Sequence, residues 1–210
     1  MTSLRYWDIS PALDPNTPTW PGDTPFQQAE VWRMEGACPV NVGRVTLSPH
    51  TGAHADAPLH YQNDAAAIGA VPLEPFLGPC RVIHAIDCGP LITVEHIAHA
   101  ALNLPPRVLV RTAKHAAQDW WTDDFSAYAP QTIEWLAERG VMLIGLDTAS
   151  IDPASSKTLD SHHAILRHDM RVLENLVLDA VPEGDYELIA LPLALVQADA
   201  SPVRAVLREL

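Results

Sequence analysis

Basic residues are scarce in this 210-residue chain: 13 Lys and Arg stand against 26 Asp and Glu, for a formal net charge of −13. Nucleic-acid binding draws its affinity from clustered cations that neutralise phosphates, and no such cluster occurs, so a phosphate-tracking surface is excluded. Long apolar runs are missing too. The longest, Leu188 to Val196, is less than half of the roughly 20 residues a membrane helix needs, so no membrane span is expected and the run reads as a buried strand. Cys38, Cys80 and Cys88 are odd in number and have no metal-site spacing, which makes them structural thiols of a reducing compartment. Met1 to Ser10 holds no charged segment followed by an apolar one, which predicts a cytoplasmic protein. Gly-x-Ser-x-Gly is absent as well, removing the nucleophile elbow that a serine-dependent α/β-hydrolase would need.

What is present describes a folded, loop-rich chain. Hydrophobic residues make up 48%, and the 19 prolines are spread along the length, nearly twice the share expected from a usage of about 5%. The length fits one domain over residues 1–210. Asp14-Pro15-Asn16-Thr17-Pro18 and Pro21-Gly22-Asp23-Thr24-Pro25 interrupt helix and sheet alike, which puts Trp20 on an irregular loop. Alternation over Asn41 to Leu47 predicts a strand leading into a histidine-rich segment. Further strands are predicted at Arg81 to Ala85, Val108 to Arg111, Val141 to Leu146 and Tyr186 to Leu195. Helical spacing marks Val94 to Leu102 and Thr132 to Glu138, with one or two turns at His162 to Arg167. Strands and helices mixed without a boundary or repeat point to a single α/β domain.

The chemistry concentrates in His-Thr-Gly-Ala-His-Ala-Asp-Ala-Pro-Leu-His, residues 50 to 60, where His50, His54, Asp56 and His60 bring three imidazoles and a carboxylate together. These are the ligands of a catalytic zinc, and manganese or iron is chemically acceptable with them. Along a straight strand His50 and His54 would lie about 13 Å apart, too far to share an ion held by bonds of roughly 2 Å. The chain therefore has to curl between them. Gly52, free to take positive φ, stands midway, so the site is expected on a turn at a strand end. A second cluster, Asp160, His162, His163, His168 and Glu174, lies over a hundred residues later. Glu174 stands out within it, because the segment Val172 to Leu178 is largely apolar and a buried carboxylate there needs a partner or a metal.

These residues carry a resemblance. The chain resembles the cyclase-like metal-dependent hydrolases, and among them the bacterial kynurenine formamidases (arylformamidases), whose pattern His-x-Gly-Thr-His-x-Asp-x-Pro-x-His it departs from only at Ala53. The likeness continues through Trp20-Pro21-Gly22-Asp23, Gly145-Leu146-Asp147-Thr148, Ser161-His162-His163, Glu174-Asn175-Leu176 and Ser201-Pro202-Val203-Arg204, although Ala200 stands where a glycine is common. It implies a swivelling β/β/α fold with a mixed central sheet and a homodimer. It also implies two zinc ions per subunit, one on His50, His54 and Asp56, the other on His162 and Glu174, with Asp56 bridging. His60 would donate and accept the proton, and Trp20 would contact the substrate. The implied reaction is hydrolysis of N-formyl-L-kynurenine to L-kynurenine and formate. Another amide, a lactone or a cyclic imide is the nearest alternative substrate, since a fold does not fix one. A closed structural metal site is disfavoured by the lack of cysteine near the motif.

Overall fold

The computed structural model describes residues 4–210. In chain order its regular elements are β1 (Tyr6–Asp8), β2 (Gln27–Trp32), β3 (Val42–Thr46), β4 (His54–Asp56), β5 (Leu77–His84), β6 (Leu91–Ile92), α1 (Val94–Ile97), β7 (Arg107–Arg111) and β8 (Ala127–Tyr128). There follow α2 (Pro130–Ala137), β9 (Leu143–Leu146), α3 (Asp160–Arg167), β10 (Arg171–Glu174), β11 (Gly184–Ile189), β12 (Ala200–Pro202) and β13 (Val206–Glu209). Nine strands form one sheet in the order β1-β13-β11-β5-β7-β9-β10-β4-β12. Its centre, β5 to β10, is parallel, and both flanks are antiparallel. The α/β expectation with a mixed central sheet therefore holds.

Composition explains the parallel centre. Val108 to Val110 and Leu143 to Leu146 carry no polar side chain at either parity, as a strand covered on both faces requires. Val108, Val110, Ile144 and Leu146 face one apolar cluster with Ile133 and Leu136 of α2 and Ala164 and Ile165 of α3. Leu109 and Leu143 face the other, together with Ala55 of β4, Tyr186 and Leu188 of β11, and Leu207 of β13. The second cluster joins strands near both ends of the sheet. The sheet curls over this core, while the helices cover its opposite face. Gly145 sits inside this packing, where an added Cβ would lie 2.6 Å from the Leu109 side chain.

Several expected elements shift at their ends. The helix over Val94 to Leu102 is a single α turn continued by a 3-10 turn, Ala98–Ala100. The helix expected from Thr132 begins at Pro130, a residue suited to a first helical position because it has no N–H to satisfy. The strand expected over Tyr186 to Leu195 stops at Ile189, which pairs with Leu77, the first residue of β5. Beyond it Pro192 cannot donate to a ladder. Leu191, Leu193, Leu195 and Val196 consequently lie exposed, Val196 by 82%, so the longest apolar run is not a buried strand. β3 forms as expected but among the described residues pairs only with β2, in a separate and largely exposed two-stranded sheet. The histidine segment thus enters the main sheet on its own short strand, β4. Among the described residues no helix is long and apolar enough to cross a membrane.

Candidate metal centre and active-site cleft

Sheet register builds the centre. On β4 His54 and Asp56 are two residues apart and share a face. β10 runs antiparallel beside β4 with Glu174 opposite His54, so the carboxylate predicted to need a partner finds one at once. His54 Nε2 lies 3.3 Å from Glu174 Oε2 and 3.3 Å from Asp56 Oδ1. The other ring nitrogen, Nδ1, is 2.9 Å from the Gly52 carbonyl; a carbonyl only accepts, so Nδ1 carries the proton and Nε2 points inward. Gly52 has φ +65, the left-handed turn expected of it. A Cβ there would also meet Leu13 at 2.5 Å. That turn brings His50 back over the strand, with Nδ1 3.0 Å from Asp56 Oδ1.

The second half comes from α3. Asp152 accepts the backbone N–H of Ser161 and of His162, each at 3.0 Å, satisfying two of the free donors at the start of that helix. The same carboxylate takes His162 Nδ1–H at 2.7 Å, which fixes the tautomer and turns Nε2 toward Asp56 Oδ2 at 3.4 Å and Glu174 Oε1 at 3.7 Å. Asp56 therefore offers Oδ1 to one pair of histidines and Oδ2 to the third. Two non-glycine residues here, Leu159 before α3 and Asn175 after Glu174, take positive φ of 50 and 56. Such strain tends to gather where function over-determines the backbone.

Electrostatics fit a cation. Burial, the largest single influence, pushes the His54 imidazole down, yet hydrogen bonds and charge from Asp56 and Glu174 together override it and hold His54 at about 10. His162 likewise is pulled down by burial and lifted to about 10 by Asp152, Asp56 and Glu174. Asp56 is raised by burial but held well below the usual carboxylate range by His162, His50 and His54. The buried carboxylates thus demand positive charge. Although charged neighbours lie 3.0–3.3 Å away, neither His54 Nε2 nor Asp56 Oδ1 makes a well-aligned hydrogen bond among the described residues, and a buried polar group so left costs about 1–3 kcal/mol unless something joins it. His50, His54 and Asp56 can each bring one donor atom within 4.8 Å of the others. Imidazole and carboxylate donors so grouped suit a bound divalent metal.

His60 follows on a 3-10 turn, Pro58–His60. Its ring lies 4.3 Å from that of His50 and 5.8 Å from that of His162. It too comes within ligand reach of Asp56 and His162, but its side chain is 32% exposed where those of His54 and His162 are 1% and 3% exposed. His60 is the lip of the centre and the others are its floor. A cleft of about 980 Å³ opens above them, bordered by Trp20, Trp120, Trp121 and Phe125. Trp20 is on an irregular loop as expected and packs edge-on against Trp121, with ring centroids 5.0 Å apart. His163, His168 and Asp160 lie exposed on or just after α3 and line no part of the cleft.

A model of the putative cyclase family matches residues 7–153. The chain belongs to that family. Within it, this cyclase-family chain is 78% identical over 206 residues to a kynurenine formamidase of Bordetella petrii, covering 98% of this chain and 99% of the relative. A kynurenine formamidase of Polaromonas naphthalenivorans is 64% identical over 208 residues, covering 99% and 92% respectively. Among solved structures, one described as a potential metal-dependent hydrolase with cyclase activity superposes with a TM-score of 0.85 at 26% identity, over 99% of both chains. Two carboxylates escaped sequence reasoning, Asp152 and Asp199. Nothing local marks either one among 26 acidic residues; only the fold brings them to a histidine.

Proposed function

We propose that this cyclase-family enzyme, one domain over its length, hydrolyses N-formyl-L-kynurenine to L-kynurenine and formate. The observation that carries the reading is its 78% identity, nearly end to end, to a kynurenine formamidase. The metal we assign is zinc, two ions per subunit: His50, His54 and Asp56 would hold one, and His162 and Glu174 the other, with Asp56 shared between them. When bound, the metal supplies Lewis acidity, lowering the pKa of water toward about 7 and polarising the formyl oxygen.

The chain's own groups do the rest. Asp152 and the Gly52 carbonyl lock the tautomers of His162 and His54, so the ligand set needs no rearrangement. Water adds its oxygen to the formyl carbon and the carbon–nitrogen bond breaks. His60, at the lip of the centre, takes a proton from that water and returns it to the departing aniline nitrogen, the general acid–base role that imidazole side chains fill most often. Trp20, with Trp121 braced against it, offers a flat apolar face to the aromatic ring of the substrate.

Formate release from N-formylkynurenine tests the assignment. Turnover should appear in the untreated enzyme and fall to background after chelation, and Trp20→Ala should raise KM several-fold with kcat nearly unchanged. Hydrolysis of a lactone or cyclic imide but not of the formamide would redirect the reading within the family.

The homodimer is part of the same proposal. It is supported by apolar side chains that the fold leaves outside: Val31, Trp32 and Val45 of the β2–β3 sheet, and Leu191, Leu193 and Val196 after β11. Sedimentation equilibrium should give twice the mass of one chain, and a monomer at micromolar concentration would contradict it.

A further inference from the structure

We infer that Asp199 is a positioning residue that holds His60 in its Nδ1-protonated tautomer while gripping the imidazole of His50 with the same oxygen. The inference rests on the reading of His60 as proton carrier. Asp199 Oδ2 lies 3.3 Å from His60 Nδ1 and 3.0 Å from His50 Nε2. A carboxylate offers no proton to a neutral imidazole, so both nitrogens donate to it. His60 is then left with Nε2 as its basic nitrogen, on a ring that lines the cleft. His50 is left with Nδ1 free, and that atom faces Asp56.

The backbone around Asp199 supports the same role. Its carbonyl accepts the N–H of Ala57 at 2.8 Å, the residue that starts the His60 turn, and the preceding Ala198 carbonyl accepts Ile68 N–H at 2.9 Å. The next residues, β12, pair with β4 so that Ala200 stands opposite Asp56. One segment therefore fixes the turn that carries His60, the ring on that turn, and the strand that carries the ligands. A carboxylate behind a catalytic histidine, setting its tautomer without itself taking the proton, is an arrangement general acid–base catalysis uses repeatedly. Asp199 is 42% exposed on its side chain, so its effect should be smaller than that of a fully buried partner.

The experiment combines kinetics, metal analysis and NMR on the metal-loaded enzyme. Asp199→Asn keeps the shape and removes the charge. It should lower kcat roughly 10- to 100-fold, with KM within about two-fold of the unmodified enzyme and metal content unchanged. In a His60→Ala background the same substitution should cost less than about two-fold, because the bond to His60 is already gone and the Asn amide oxygen can still accept from His50. Ring ¹⁵N shifts of His60 should report Nδ1–H in the unmodified enzyme and a mixture of tautomers in Asp199→Ala. Full additivity of the two substitutions, a loss of kcat that tracks loss of metal, or a His60 protonated on Nε2 alone would each overturn the inference. The NMR measurement needs no substrate, so a failure of formate release would count against the formamidase reading and leave this one to be judged separately.

Discussion

His60→Ala is expected to lower kcat by about 10²- to 10⁴-fold, the usual contribution of one positioned acid–base group, while metal content and folding stay as they were. The structure separates His60 from the proposed ligands in two ways. Its side chain is a third exposed at the cleft, and among the described residues its one side-chain hydrogen bond runs to Asp199, itself half-exposed. Nothing in the buried floor depends on that ring, so its removal should leave His54, Asp56, His162 and Glu174 in register on β4, α3 and β10. Proton delivery to the aniline nitrogen would then fall to water. The loss should be greatest for substrates with the most basic leaving amine and smallest for those with electron-poor rings. Parallel measurement of bound metal decides whether His60 is itself a ligand, since it comes within ligand reach of Asp56 and His162 and also of His50 and Asp199. Metal lost in proportion to activity would make His60 a ligand, and full activity would remove it from the mechanism.

His54→Ala should be the more drastic change, with activity reduced to background and metal lost. His54 is 1% exposed and sits between Asp56 Oδ1 and Glu174 Oε2, 3.3 Å from each. Without the imidazole those two buried carboxylates face one another across a void, and their mutual repulsion disfavours two full charges. Stability should fall as well. A metal at 100 times its dissociation constant stabilises the folded state by about 2.7 kcal/mol, and that increment disappears with the ligand. Thermal melts with and without chelator provide the check: the unmodified enzyme should lose several degrees on chelation and His54→Ala clearly fewer. A His54→Ala protein that still melts lower after chelation, at normal metal content, would mean that the metal is held elsewhere.

Much of the candidate centre can be read in order along the chain because covalent spacing sets it. His50, His54, Asp56 and His60 lie within one short segment, and the need for a curl at Gly52 follows from bond lengths alone; the observed φ of +65 is what that need requires. Glu174 could be singled out because a carboxylate inside an apolar run has to be paired, and the ladder puts His54 opposite it. The parallel strands were legible for the same local reason, apolar residues at both parities of Val108 to Val110 and Leu143 to Leu146. Alternation also marked β3 as a strand, yet could not show that its only partner is β2.

What the sequence by itself determined, then, is the chemistry on offer and the local conformations that near neighbours dictate: a ligand-rich turn, an unpaired carboxylate, a set of strands and three short helical segments. Tertiary structure decided which of these meet. His162 was taken into the centre while His163, next to it, was left in solvent, because only one side of α3 packs on the sheet. Asp199 became a partner of His60 across 139 residues, and Asp152 a partner of His162 across ten. The run after Ala190 stayed outside although it is as apolar as any core strand. Hydrophobicity and spacing act between residues close in the chain. Register and strand order arise from the summed packing of distant segments, and a single residue carries no mark of them.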